Sequence, residues 1–104
     1  MTLAIKAGAV LPPELAMSVM VASIHDAFKE EGYDCVITAG IDGKHSAGSL
    51  HYVGLALDFR SRTIPSGGRE RMRAKIAERL PGFDVVLEAD HYHVEYQPKS
   101  PINA

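Results

Sequence analysis

Apolar residues recur at Met17, Met20, Val21, Ile24 and Phe28, one face of a 3.6-residue repeat that predicts an amphipathic helix. Leu11-Pro-Pro-Glu14 suits its first turn, where proline is tolerated and glutamate complements the helix dipole. Gly32 stands where a C-terminal cap is needed. Tyr33 to Ile41 then reads as a strand centred on Cys35-Val-Ile-Thr38. Asp42 to Leu50, rich in Gly and Ser, reads as a loop, and Tyr52 to Arg60 as a strand interrupted by Gly54. After a loop over Thr63 to Gly68, Arg69 to Leu80 forms a second amphipathic pattern with Met72, Ile76 and Leu80 inward. Pro81-Gly82 stops it. Phe83 to Glu88 and His91 to Gln97 are short strands closely joined, which predicts a hairpin, and the tail from Pro98 to Ala104 is expected to fray.

The order helix, strand, strand, helix, hairpin predicts an α+β fold, a small antiparallel sheet backed by two helices. A chain of 104 residues accommodates one domain, residues 1–104, with a modest core. A net charge of −2 without a Lys/Arg run gives no footprint for nucleic acid. No stretch has the ~20 apolar residues of a membrane span, so no membrane insertion is expected. The first ten residues are too short and too weakly apolar for a secretory signal, so the expectation is cytoplasmic synthesis. Cys35, the single cysteine, excludes an intramolecular disulfide and is expected to be a buried thiol.

The chemistry concentrates in Ser49-Leu-His-Tyr-Val-Gly-Leu-Ala-Leu-Asp58 and Asp90-His-Tyr-His93. Imidazole and carboxylate are good zinc ligands, and three of them leave a fourth position open for chemistry. His51 and Asp58 are seven residues apart, so a flat strand would turn them to opposite faces. Gly54 supplies the freedom for a kink that lets both reach one ion, and the small Ala56 leaves room beside it. His91 and His93 share a strand face, so one can bind metal while the other stands behind it or meets substrate. Asp90 or Glu88, at the mouth of the hairpin, can accept a proton, and Ser49 can steady the first ligand by a hydrogen bond. His25, alone in mid-helix, reads as structural, and Lys44 and Arg60 as solvated charges.

These two blocks resemble the zinc D-Ala-D-Ala peptidases and phage L-alanyl-D-glutamate endolysins, which share their fold with the hedgehog signalling domain. The pattern SxHxxGxAxD is met by Ser49, His51, Gly54, Ala56 and Asp58, and the acidic residue three before a histidine by Asp90 and His93. Gly43-Lys-His-Ser46 ahead of Ser49-Leu-His-Tyr52 is similar to the histidine-rich loop of the hedgehog domain. The resemblance covers residues 33 to 97. It implies a hedgehog/DD-peptidase-like fold, Zn2+ held by His51, Asp58 and His93, and Asp90 as general base with Glu88 as competitor. It also implies that His91, and His45 from the preceding loop, orient substrate or stabilise the oxyanion. Peptidases of the group usually carry an arginine shortly after the strand that here reads Val36-Ile-Thr-Ala-Gly40. This chain has Ile41-Asp-Gly-Lys44 there, so Lys44 or His45 is the candidate substitute.

The expectation is therefore a zinc metallopeptidase, a hydrolase acting on peptidoglycan stem peptides in cell wall degradation. Carboxypeptidase, dipeptidase and L-Ala-D-Glu endopeptidase specificities stay open. Cytoplasmic synthesis fits release to the wall by a phage lysis system, a virion component, or an enzyme of cytoplasmic wall fragments. The rival expectation is a non-catalytic, zinc-stabilised binding module like the hedgehog domain.

Overall fold

The computed structural model describes residues 2–9, 15–40 and 56–96. Among these residues five strands form one sheet: β1 (Leu3–Ile5), β2 (Cys35–Ala39), β3 (Ala56–Arg60), β4 (Phe83–Leu87) and β5 (His91–Tyr96). Two helices, α1 (Leu15–Glu31) and α2 (Arg69–Arg79), complete it, with a 3-10 turn at Ser66–Gly68 leading into α2. The strand order is β1-β2-β3-β5-β4.

α1 forms where the apolar repeat places it. Met17, Met20, Ile24 and Phe28 are buried, Val21 packs at the edge of the core, and Gly32 closes the helix at φ 82°. That left-handed conformation favours glycine because it has no Cβ to clash. α2 buries Met72 and Ile76, with Leu80 just beyond its end, and the chain reverses through Gly82 at φ 88°. The Leu11-Pro-Pro-Glu14 segment, the Asp42 to Leu50 loop, the Gly54 kink and the tail lie outside the described residues.

The sheet corrects one expectation: it is mixed, not wholly antiparallel. β1 runs parallel to β2, with Leu3, Ala4 and Ile5 opposite Cys35, Val36 and Ile37. Three residues with only Leu3 partly buried carry no periodic signal; pairing to β2 is what makes them a strand. The Thr2 amide, donating to the Asp34 carboxylate at 3.1 Å, anchors its start. The other neighbours are antiparallel, including the expected β4–β5 hairpin.

Alternation divides the sheet into two faces. Cys35, Ile37, Leu57, Phe59, Val85, Tyr92 and Val94 point to the helices and form the core with Met17, Met20, Ile24, Phe28, Met72 and Ile76. Tyr92 is its largest member. Its ring meets Phe28 edge-on at 6.2 Å, and its hydroxyl donates to the Arg69 carbonyl at 2.7 Å. Cys35 is buried as expected, and burial pushes its thiol up to about 12, so it is inert. The opposite face carries Asp58 and Arg60 from β3 and His91, His93 and Glu95 from β5.

Candidate metal centre on the sheet face opposite the helices

β3 and β5 pair in full register, and the cross-strand partners on the face opposite the helices are Ala56 with Glu95, Asp58 with His93, and Arg60 with His91. Cross-strand partners have side chains within direct reach. The register alone therefore brings together residues 35 positions apart in sequence. The Nδ1 of His93 donates to Asp58 Oδ1 at 3.0 Å, and its Nε2 to Glu95 Oε1 at 2.7 Å. The imidazole thus lies between two carboxylates. Asp58 first, and Glu95 after it, raise the His93 pKa to about 9 against the opposing effect of burial.

His91 extends the chain of contacts. Its Nε2 lies 3.7 Å from Asp58 Oδ2, while its Nδ1 is 2.7 Å from Asp90 Oδ1. That bond to His91 holds the exposed Asp90 carboxyl below the usual range. Of the two acids at the hairpin mouth, Asp90 therefore touches a site histidine. Glu88 is exposed and meets His91 only through the backbone, its amide donating to the His91 carbonyl at 2.8 Å.

A register shift between Ile37 and Ala39 marks a β-bulge in β2 beside Asp58. Bulges re-aim side chains, and here the Thr38 hydroxyl donates to the Asp58 carbonyl at 3.4 Å. Next to this, Lys6, Thr38, Arg60, Arg62, Asp90 and His91 line a polar cleft of about 560 Å3.

The structure thus joins Asp58, His93, His91 and Asp90 among the expected site residues. His51, His45, Lys44 and Ser49 lie outside the described residues. Among the described residues no three His, Cys, Asp or Glu side chains gather as a ready metal cluster. Asp58 and His93 nevertheless fit two corners of a zinc site. Ligand bonds of ~2.0–2.2 Å at a tetrahedral angle put donor atoms roughly 3.3 Å apart, close to the 3.0 Å observed between Oδ1 and Nδ1. Metal-binding histidines characteristically donate their other ring N–H to a carboxylate, which fixes the tautomer. Glu95 accepts from His93 Nε2 in this way, while Nδ1 is the ring nitrogen turned to the Asp58 carboxylate. Glu95 was absent from the sequence-based set although the alternation His91-x-His93-x-Glu95 places it on the same face.

In comparisons with known proteins, no family model and no curated sequence matches the chain.

Proposed function

We propose that the chain is a zinc-dependent peptidase acting on peptidoglycan stem peptides. The observation that supports this reading is the His93 imidazole, held on Nε2 by Glu95 and turned with Nδ1 to the Asp58 carboxylate. A purely structural imidazole needs neither two carboxylates nor an accessible acid-histidine pair beside it. Asp58 and His93, joined by His51 from the sequence pattern, would hold the ion. Bound there, zinc would supply Lewis acidity, polarising a carbonyl oxygen and acidifying a water toward a pKa of ~7.

The remaining chemistry belongs to the chain's own groups. Asp90 is ionised at neutral pH, because its bond to His91 favours the carboxylate. It accepts the proton of the attacking water and returns it to the leaving amine. His91, its Nδ1 donating to Asp90, lines the adjacent cleft and would orient the substrate there. Glu95 keeps His93 in one tautomer throughout.

The test is to incubate the zinc-loaded protein with purified peptidoglycan and follow new amino groups by mass spectrometry. Chelator-sensitive release of stem-peptide fragments is expected, and the fragment masses identify the bond. Asp90→Ala should lose turnover by at least about 100-fold, the scale of general-base catalysis, while retaining one zinc. Loss of zinc in that variant would make Asp90 a ligand. Bound zinc with no cleavage by the wild type would instead favour a hedgehog-like binding module.

A further inference from the structure

We infer that Thr38 is a positioning residue for the candidate centre: through the bulge in β2 and through its hydroxyl, it fixes the Asp58 backbone where the carboxylate meets His93. The link to a metal rests on the peptidase reading; the hold on Asp58 does not.

The strand ladder shows which way Asp58 is tied. The Ser61 amide donates to the Asp90 carbonyl at 3.1 Å, so residues 61 and 90 occupy a hydrogen-bonded position at the end of the β3–β5 ladder. In an antiparallel pair such positions alternate with non-bonded ones. Counted back in register, Phe59–Tyr92 and Leu57–Val94 are bonded positions and Asp58–His93 is a non-bonded one. The amide and carbonyl of Asp58 therefore point away from β5 and toward β2. Its side chain meets β5, while its backbone takes its place from β2.

β2 is irregular at that point. Ile37 stands opposite Phe59, but Asp58 stands opposite Ala39 and not Thr38. Thr38 is thus the extra residue of the bulge, which interrupts the ladder and bends the strand. At the interruption the Thr38 hydroxyl donates to the Asp58 carbonyl at 3.4 Å. That bond is long, and its weight comes from its place, a side-chain tie across the bulge to the residue at the middle of the centre. Asp58 Oδ1 lies 3.0 Å from His93 Nδ1, and Oδ2 lies 3.7 Å from His91 Nε2. A carboxylate set between two imidazoles tolerates little drift of its backbone, since a site loses its geometry with shifts beyond about 0.5 Å. Threonine suits the position twice, because its β-branch favours a strand and its hydroxyl donates. Thr63 offers a comparison: its hydroxyl donates to the Asp34 carbonyl at 3.0 Å, a bond of the same kind that touches no residue of the centre.

Thr38 also lines the cleft, so lost turnover would not separate positioning from substrate contact. The test therefore uses the full chain without substrate. It combines nitrogen NMR of the histidine rings in metal-free protein at neutral pH with zinc affinity measured against a chromophoric chelator. Thr38→Val keeps the size and the β-branch and removes the donor. It should shift the His93 ring-nitrogen signals and weaken zinc about tenfold, as loss of a group behind a ligand does, with the far-ultraviolet dichroism unchanged. Thr38→Ala should do the same with no branch to crowd the bulge. Thr38→Ser should restore both readouts, and Thr63→Val should alter neither. Unshifted His93 signals in Thr38→Val, a zinc affinity equal to that of the wild type, or a loss that Thr38→Ser does not restore would each overturn the assignment. If the wild type itself binds no zinc, the metal reading fails, and a His93 shift confined to Thr38→Val and Thr38→Ala still carries the positioning. A zinc peptidase indifferent to Thr38→Val leaves the reading intact and removes Thr38 from it.

Discussion

His93 shows how much of a site one side chain can organise. Its folded pKa of about 9 lies above the ordinary 6.5, so in metal-free protein the Asp58–His93–Glu95 contacts contribute fully below pH 6.5 and are lost as pH rises through about 9. On the proposed reading, zinc would compete for the Nδ1 position and would have to displace a proton there. Apparent zinc affinity should therefore climb about tenfold per pH unit between pH 6.5 and 8 and flatten toward 9; calorimetry in buffers of differing ionisation enthalpy would register the released proton. Affinity that does not change over this range would mean that zinc does not replace that proton. Glu95→Gln should weaken zinc about 10–100-fold, as loss of a carboxylate behind a ligand does, with the far-ultraviolet dichroism unchanged. Asp58 and His93 were legible from residue type and spacing. Glu95 was legible only through strand alternation, and the placement of Arg60 opposite His91 only through register.

At the scale of elements, the two helices and the hairpin followed from periodicity because each has a long apolar stripe or a clear stop. β1 did not, since a three-residue edge strand is specified by its partner β2 and not by its own pattern. The bulge in β2 was equally silent, although it sets the Thr38 hydroxyl against the Asp58 carbonyl. Two substitutions probe the joint between sheet and helices. Tyr92→Phe removes the hydroxyl that bridges β5 to the Arg69 carbonyl, and should cost about 0.5–1.5 kcal/mol in urea denaturation. Ser61→Ala should leave stability unchanged or raise it, because the buried Ser61 Oγ has no hydrogen-bond partner among the described residues. A destabilisation by Ser61→Ala as large as that of Tyr92→Phe would show that its hydroxyl is satisfied in solution.

Across the whole molecule, α1 and α2 are clasped by Glu30 and Glu31 against Arg71, Lys75 and Arg79 on the side away from the candidate centre. Those cations, Arg79 and Lys75 for Glu30 and Arg71 and Lys75 for Glu31, lower each glutamate to about 2. The clasp therefore contributes fully above pH 4.5 and is lost as pH falls through about 2. Being exposed, it should be weakened by salt, so acid unfolding should begin at a pH that moves with ionic strength. The division of labour is spatial: one sheet face is spent on the apolar core, which leaves the other for Asp58, His91, His93 and Glu95. The α+β class was readable from the order of elements. How residues 58 and 93 come to face each other was not, because only strand pairing decides it.

The most direct measurement is a zinc titration of the wild type and of Asp58→Ala by isothermal calorimetry, with elemental analysis of the dialysed proteins. The account predicts one zinc per wild-type chain and its loss, by at least about 100-fold in affinity, in the folded variant. Equal zinc binding by the two proteins, or none by the wild type, would contradict the claim that Asp58 and His93 form a metal seat.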